Sequence, residues 1–387
     1  MTQARLAISH DWIIDQRGAE RVLREFCLAF PDLSIFTLML KTRGLDSAIG
    51  RHSIFVSPLG MMPSVERYYR YLLPWFVRGI EHFRVEGYDL LISISHSVAK
   101  GIPHPPEVPH ICYCLSPMRY LWEPQLYGQA LHKGWRRLLL KCSERRLKKW
   151  DYESNRLVDE FVAISETVRR RIDKIYHRPA KVISPAVDLD KFRPAAIPRR
   201  GFFLIVSSLV PQKRIDIAIE AFNRNGKPLK IAGSGPLFGP LSRKAAPNIE
   251  FLGWRSDQEL QDLYRQARAL VFPGVEDFGL VPLEAQACGC PVIAFGEGGA
   301  TETVIEGETG FFFGQLRPEC LTDAVSQFED CRLDPDAAVQ NAARFSPDRF
   351  WDGWAHVLQP YGVGLPWWRQ AERDVTRDRR QAAGFRH

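Results

Sequence analysis

Two glutamates stand eight residues apart in the second half of the sequence, on either side of a predicted helix start. Glu276 lies in a glycine-containing loop after the apolar strand Ala269–Phe272, and Glu284 lies in the helix that begins near Leu280. A helix N-terminus has free backbone N–H groups and a partial positive charge, so it binds anions. Taken singly, each glutamate is better explained as an ordinary loop or helix residue. Together they suit a ligand with a central phosphate and hydroxyls at both ends, such as a nucleotide-sugar.

The elements around these glutamates predict a parallel α/β protein. Short apolar runs alternate with amphipathic stretches, and the pattern restarts after Phe192–Gly201, a segment rich in proline and charge. The chain has 387 residues, whereas a single core stops growing at about 250–300 residues. We therefore predict two Rossmann-like domains that face a central cleft, 1–195 and 196–345. The remaining segment, 346–387, is predicted as a helix or tail that crosses back to the first domain or frays.

Composition and the remaining motifs exclude several other classes of protein. With 45% apolar and 25% charged residues the chain is not expected to be disordered, and neither a signal peptide nor a membrane span is predicted. Gly233-Ser234-Gly235 begins like a dinucleotide fingerprint, but Phe238 occupies the third glycine position. Asp188-Leu189-Asp190 has the form of a metal motif, yet we interpret it as an interdomain turn. The cysteines lack zinc spacing, so no metal and no other cofactor is expected.

Several stretches resemble the retaining GT-B glycosyltransferases of family 4. Glu276 and Glu284 form the EX7E pattern of that family, and the resemblance covers residues 5–350. The family resemblance continues in Val206–Arg214, Ile231–Pro236, Pro185–Phe192, Pro291–Ala294 and Gly298–Ala300. Four further stretches lie in the first half, namely His10–Trp12, Arg17–Glu20, Ser95–Gly101 and Ser116–Tyr120. These four are similar to a subgroup of mannosyltransferases of bacterial surface-polysaccharide (O-antigen or exopolysaccharide) assembly.

The resemblance implies a donor-binding role for each matching residue. Lys213 would neutralise the diphosphate of the donor, whose negative charge grows as the sugar departs. Glu276 would hold hydroxyls of the transferred sugar, and Glu284 would hold the ribose diol. Gly18 would let a loop of the first domain approach the diphosphate, because glycine lacks a Cβ. The backbone that meets sugar and phosphate would come from Phe278, Gly279, Leu280 and Val281.

One phosphate-binding position departs from the family's pattern. The family usually has an arginine five residues before the lysine, and Ser208 stands at that position here. One of the two cations that face the phosphates is therefore absent from its usual place. Arg214 and Arg17 are the candidates that we expect to replace it.

A second departure concerns the sugar. Many members have a histidine where the strand of Cys112 and Cys114 ends, and Leu115 stands there in this sequence. His96 or His10 is the candidate to take its place, the alternative being that each is a hydrogen-bonded scaffold residue. The family's proposed mechanism requires no side-chain base, because the leaving phosphate itself takes the acceptor proton.

The positive charge of the chain lies in its first half. Residues 1–195 carry 30 Lys and Arg against 21 Asp and Glu, whereas residues 196–387 carry 22 against 24. Arg67–Arg78 mixes cations with aromatic residues, and His132–Trp150 mixes them with leucines. Both segments resemble those that lie on an anionic membrane surface, with a solvated helix face as the alternative. No nucleic-acid-binding module accompanies the charge, so nucleic acid is not an expected partner.

These observations predict a retaining, metal-independent hexosyltransferase. The donor is expected to be a nucleotide-sugar, with GDP-mannose favoured over a UDP-sugar by the subgroup resemblance. The acceptor is expected to be a hydroxyl of a lipid-linked glycan, which places the enzyme in the cytoplasm and peripherally on the cytoplasmic face of the membrane. A nucleotide-sugar 2-epimerase and a catalytically degenerate binding protein of a glycan-assembly complex are the two alternatives.

Overall fold

Two parallel β-sheets organise the protein, each with helices around it. The computed structural model describes residues 4–14, 18–65, 68–69, 72–124 and 135–365, and it describes no side chains for 135–142. In the first sheet the strands are β1 Leu6–His10, β2 Ser34–Thr37, β3 Ser53–Val56, β4 Leu90–Ser95, β5 His110–Cys114, β6 Glu160–Ala163 and β7 Ala180–Val182. Their spatial order is β3-β2-β1-β4-β5-β6-β7, and each neighbouring pair is parallel.

The second sheet repeats the same arrangement. In chain order its strands are β8 Phe203–Val206, β9 Leu229–Ala232, β10 Ile249–Gly253, β11 Leu270–Phe272, β12 Val292–Phe295 and β13 Gly310–Phe313. In space they run β10-β9-β8-β11-β12-β13, again all parallel. The order reverses between β1 and β4 in the first sheet and between β8 and β11 in the second. Ligands of such folds bind at the carboxyl ends of the strands beside this switch point. The prediction of two Rossmann-like domains is confirmed.

Helices connect the strands and cover the sheets. In the first half they are α1 Gly18–Ala29, α2 Ser47–Gly50, α3 Leu73–Glu81, α4 Arg119–Trp122, α5 Trp135–Glu153 and α6 Glu166–Tyr176. In the second half they are α7 Ile215–Asn225, α8 Phe238–Ser242, α9 Asp257–Gln266, α10 Leu280–Ala287, α11 Ala300–Thr303, α12 Pro318–Asp330, α13 Pro335–Ala343 and α14 Pro347–Leu358. Strands β1, β4 and β5 are buried along their whole length, as expected when helices cover both faces of a parallel sheet.

The chain returns to the first domain at its C-terminal end. The rings of Trp351 and Trp354 in α14 pack edge-on against Phe26 of α1, at centroid distances of 5.4 and 4.9 Å. Trp354 also meets Tyr113 of β5 at 5.3 Å. Helix α14 is thus part of the core under the first sheet. The predicted boundaries at residues 195 and 345 stay predictions, and residues 366–387 lie outside the described part.

The first basic segment of the sequence lies partly on α3. Leu73 and Phe76 are buried in the first domain, whereas Trp75 is 43% exposed and Arg78 points to solvent. Most of the apolar surface of this helix therefore stabilises the domain itself, and Trp75 with Arg78 forms its outer side. In the part of the chain that the structure describes, no helix combines the length and hydrophobicity needed to cross a membrane.

Replacing Trp354 by alanine should strongly destabilise the protein. The side chain is fully buried between α14 and the first sheet, and truncating a buried tryptophan costs about 3–5 kcal/mol. Urea unfolding followed by circular dichroism would measure the loss. Trp254→Ala is the matched control, since Trp254 is 72% exposed and its loss should change the free energy of unfolding by less than about 0.5 kcal/mol. Equal midpoints for the two variants would contradict the assignment of α14 to the core.

Candidate functional site

Lys213 and Glu276 meet at the switch point of the second sheet. The chain leaves β8 and forms a short 3₁₀ turn at Pro211–Lys213, and it leaves β11 to form the loop that carries Glu276. Lys213 Nζ forms an ion pair with Glu276 Oε1, and each side chain is only about a fifth exposed, 23% and 21%. A Cβ at Gly274 would lie 2.9 Å from Lys213 Cα, so glycine there lets the two loops approach. The structure thus brings together two residues predicted to act on one ligand.

Two glycines of the next loop hold Glu276 in place. The amide of Gly299 donates a hydrogen bond to the Glu276 carbonyl at 2.8 Å. Gly298 has a φ of +73°, and a Cβ there would lie 2.5 Å from the Glu276 carbonyl oxygen. A Cβ at Gly299 would overlap the backbone of Phe278. This close backbone approach fixes the loop beside the helix start, which is a use of glycine that no other residue can serve.

The predicted backbone ligands lie at the start of α10. Gly279 adopts a φ of +114° immediately before the helix, and no side chain of the described residues caps the first turn. Phe278 is buried against Phe345, with ring centroids 5.6 Å apart, whereas Leu280 and Val281 are partly buried. A Cβ on Gly18 would be 3.4 Å from Leu280 Cδ1. The N-termini of α1 and α10 therefore face each other across the cleft, and both offer N–H groups to an anion.

Glu284 lies inside the protein and is shared by the two domains. It is 3% exposed, and the Tyr264 hydroxyl donates a hydrogen bond to its Oε2 at 3.1 Å. Its Oε1 forms an ion pair with Arg21 of α1. Burial raises the pKa of the Glu284 carboxyl, and the positive charge of Arg21 opposes that rise. The carboxylate predicted to bind ribose thus already has partners from both domains.

A second ion-pair cluster joins the domains next to Glu276. Asp277 Oδ2 accepts a hydrogen bond from Arg119 Nη1 at 3.1 Å, and Asp277 Oδ1 is paired with Arg171. Glu123 lies 3.0 Å from Arg171 Nε, and the Ser165 hydroxyl donates to the Asp277 carbonyl at 2.6 Å. The loop that carries Glu276 is therefore held by residues of the first domain.

Glu302 makes a further contact between the domains at the N-terminus of α6. Its carboxylate accepts hydrogen bonds from the amides of Glu166 and Thr167 at 2.7 and 2.8 Å, and from the Thr167 hydroxyl at 2.6 Å. An acidic side chain at a helix N-terminus satisfies free N–H groups and interacts favourably with the helix dipole. Here the capping carboxylate comes from the other domain, so it fastens α6 to the second sheet.

Ser208 stands where the family usually has a phosphate-binding arginine, and Arg214 is one of the two candidates to replace that arginine. The Ser208 carbonyl accepts a hydrogen bond from Val210 N at 3.0 Å. Arg214 precedes α7 with a φ of +49°, and its guanidinium donates to Asp216 at 3.3 and 3.4 Å. Arg17 lies outside the described residues. The phosphate-binding roles of Ser208, Arg214 and Arg17 stay predictions.

The switch point of the first sheet is built around Asp11. This buried carboxylate follows β1 and accepts hydrogen bonds from four consecutive amides after β4, those of His96, Ser97, Val98 and Ala99, at 2.7–2.8 Å. His96 Nδ1 lies 3.1 Å from Asp11 Oδ2, and its ring stands edge-on to Trp12 at 4.5 Å. His96 is a quarter exposed. His10 is fully buried, which lowers its pKa to about 3, so its ring is neutral at physiological pH.

Sequence reasoning missed several residues that shape the site. Asp11 and Arg119 belong to stretches that resemble the family, but no role followed from that resemblance. No role follows from the resemblance for Arg21, Asp277 or Arg171 either. Their position in the loop or helix that follows a strand is the signal that could have indicated them, because the carboxyl ends of parallel strands bring side chains together at one edge of the sheet.

Comparisons with known proteins agree with this architecture. Residues 16–191 match the family model "Glycosyltransferase Family 4", and residues 188–345 match the model "Glycosyl transferases group 1". The chain is 31% identical over 244 residues to a D-inositol 3-phosphate glycosyltransferase of Mycobacteroides abscessus, covering 56% of this chain and 52% of that protein. It is 31% identical over 229 residues to a GDP-mannose-dependent phosphatidylinositol monomannoside mannosyltransferase of Mycolicibacterium smegmatis, covering 51% and 58%. The chain thus spans little more than half the length of these curated relatives.

A solved structure covers more of the chain. Anabaena HepE in complex with UDP superposes with a TM-score of 0.69 at 18% identity, over 92% of this chain and 100% of that one. The same protein in complex with UDP-glucose gives a TM-score of 0.68. At this identity the likeness concerns the fold, which is GT-B. The fold and the two family-model matches agree with the resemblance seen in the sequence.

Removing the Asp11 carboxylate should destabilise the first domain. Asp11→Ala leaves four amides without their acceptor, and each unsatisfied buried group costs about 1–3 kcal/mol, so a total loss of about 4 kcal/mol or more is expected. Asp11→Asn keeps one acceptor oxygen and should fall between that variant and the wild type. Thermal unfolding would rank the three proteins. The exposed Asp32 provides the control variant Asp32→Ala, and a shift for Asp11→Ala no larger than that control would be the contrary result.

Proposed function

We propose that this chain, with its GT-B fold and its two matches to glycosyltransferase family models, transfers a sugar from a nucleotide-sugar to an acceptor hydroxyl. The observation that carries the proposal is the Lys213–Glu276 pair at the switch point of the second sheet. Glu284 and the facing helix starts at Gly18 and Leu280 surround that pair. A cation, two carboxylates and free helix N–H groups match a diphosphate that joins two hydroxyl-bearing groups.

The proposed reaction exchanges one bond at the anomeric carbon for another. The bond from this carbon to the donor phosphate oxygen breaks, and a bond to the acceptor oxygen forms on the same face, with retention. The acceptor proton passes to the leaving phosphate oxygen. Lys213 stabilises the charge that develops on the leaving diphosphate, while Glu276 holds hydroxyls of the sugar. Before the donor arrives, the two side chains neutralise each other in their ion pair.

His96 is the residue of the first domain that we place beside the transferred sugar. It follows β4 at the switch point of the first sheet and remains a quarter exposed. Its ring packs edge-on against Trp12 and lies beside Asp11, and a histidine ring can donate or accept a hydrogen bond. We write the reaction without a metal, because Lys213 and the start of α10 place positive charge where the leaving group departs.

GDP-mannose is the donor that we favour. The support is the resemblance of the first-half stretches and the name of the mycobacterial mannosyltransferase relative. HepE, which shares the fold, binds UDP and UDP-glucose, so UDP-sugars are the alternative. A thermal-shift series with GDP, UDP, GDP-mannose and UDP-glucose separates the two, since a ligand that binds only the native state raises the unfolding temperature.

Glu276→Gln and Lys213→Ala should each lower sugar transfer by about 10²–10³-fold, because each removes a charge that acts in the transition state. Release of the nucleoside diphosphate from the preferred donor, with a lipid-linked acceptor present, measures the rate. The matched control is the surface pair Lys230–Glu250, 3.0 Å apart on β9 and β10, whose variants Lys230→Ala and Glu250→Gln should keep full activity. Full transfer activity in Glu276→Gln and Lys213→Ala would contradict the roles proposed for these two residues in sugar transfer. Donor binding without turnover by the wild type would favour a degenerate binding protein instead.

For the acceptor we propose a lipid-linked glycan of surface-polysaccharide assembly, reached from an anionic membrane surface at which the first domain docks. The support is the outer side of α3 and the turn Pro58–Met61, whose Leu59 packs against Gly79 of that helix. Met61 is 77% exposed, and Trp75 beside Arg78 is also exposed. Exposed apolar side chains with a neighbouring cation are typical of interfacial binding.

Arg78→Glu should weaken binding to vesicles that contain phosphatidylglycerol by about 30-fold, because each charge near an anionic surface contributes about 1 kcal/mol. Trp75→Ala should weaken it as well, through the loss of apolar contact. Co-sedimentation of the full chain with vesicles measures both effects. Trp254→Ala removes an equally large exposed aromatic residue from the second domain and should leave binding unchanged. Binding that is the same in all four proteins, or the same on neutral vesicles, would overturn the docking proposal.

A further inference from the structure

Arg21 reaches from the first domain into the predicted nucleotide site. It lies three residues after Gly18 on α1, one turn along the same helix face. Its Nη1 is paired with Glu284 Oε1, and its Nη2 lies 3.3 Å from Asp257 Oδ1. Lys191 Nζ lies 2.8 Å from the other oxygen of Asp257. A single guanidinium thus bridges two carboxylates of the second domain.

The Glu284 carboxylate is held on both of its oxygens. Arg21 pairs with one oxygen from the first domain, and the Tyr264 hydroxyl donates to the other from the second. A carboxylate oxygen can accept more than one hydrogen bond, so each oxygen keeps capacity for a further donor. The protein thus orients both oxygens of Glu284, and each oxygen retains a lone pair for one further donor.

We propose that Arg21 is a positioning residue for the donor, which holds Glu284 in the orientation that accepts the ribose diol and so makes the nucleotide site a joint product of both domains. The inference rests on the proposed function, because it assigns the ribose to Glu284. The contrary possibility is a competing clasp, in which Arg21 blocks Glu284 until the nucleotide displaces it. The two roles predict opposite changes in nucleotide affinity when Arg21 is removed. Loss of a positioning residue weakens nucleotide binding, whereas loss of a blocking residue strengthens it.

The electrostatics of the site favour positioning. Glu284 is buried, and burial alone disfavours its charged form. Arg21 is the cation in contact with it. The other ionisable groups around it are Tyr264 and Asp257 on α9, Lys191 beyond Asp257, and Cys288 just after α10. Without Arg21 the pKa of Glu284 would rise further, which favours the protonated carboxyl. A protonated carboxyl is a poorer acceptor for a diol.

The test compares nucleotide binding by the full chain and three variants. UDP and GDP are titrated by isothermal calorimetry at pH 6.0, 7.0 and 8.5 into wild type, Arg21→Ala, Arg21→Lys and Arg24→Ala. Arg24 is the matched control on the same helix, with 39% side-chain exposure against 37% for Arg21, and it pairs with Asp46 inside the first domain. Arg21→Ala should raise the Kd about tenfold or more, and the loss should be larger at pH 6.0 than at pH 8.5, because a higher pH favours the ionised form of Glu284. Arg21→Lys should restore part of the affinity, because an ammonium supplies the charge without the fork that bridges two carboxylates.

The possible outcomes lead to different conclusions. Tighter binding by Arg21→Ala would overturn positioning in favour of a clasp. A loss that is equal at all three pH values, or that Arg24→Ala shares, would overturn it in favour of a merely structural role. If the wild type binds neither nucleotide, the proposed function itself fails. If it binds one and Arg21→Ala binds equally well at every pH, only the role of Arg21 fails.

Discussion

Charge complementarity across the cleft is the interaction on which the arrangement of the two domains depends. The second domain contributes four carboxylates, and the first domain meets each with a cation or a helix N-terminus. The carboxylates are those of Asp257, Asp277, Glu284 and Glu302. All four follow the carboxyl ends of strands in the second sheet, the same edge at which a ligand of this fold binds. Docking of the domains and binding of a ligand therefore use one surface, and neither can change without affecting the other.

This arrangement also gives a second reason for the uneven charge of the sequence. The excess of Lys and Arg in residues 1–195 suggested an anionic membrane as its partner. Three of these cations, Arg21, Arg119 and Arg171, instead face the second domain and are at least partly buried there. Part of the positive charge is thus matched within the molecule. The cations that remain relevant to a membrane are those on outer surfaces, such as Arg78 on α3.

Much of the fold could be predicted from the sequence, because central parallel strands are buried on both faces and form continuous apolar runs. The strand predicted at Ala269–Phe272 differs from β11 by one residue, and the helix predicted from Leu280 begins there. Edge strand β3 is partly exposed along its length, so it lacks the complete burial by which central strands are recognised. In the site, Lys213 and Glu276, to which the resemblance gives one ligand, lie in contact. The partnership of Arg21 with Glu284 spans 263 residues, and no local pattern encodes a contact between side chains so far apart in sequence.

The return of the chain at α14 has a mechanical consequence. The backbone passes between the domains twice, once after β7 and once before α14, and the two passages lie side by side, because the Val187 amide donates a hydrogen bond to the Phe345 carbonyl at 2.9 Å. Two connections at one place would confine any relative motion of the domains to a rotation about an axis near Val187 and Phe345. In such a rotation, displacement grows with distance from the axis. The facing helix starts at Gly18 and Leu280 would then separate on opening and return to the same contact on closing.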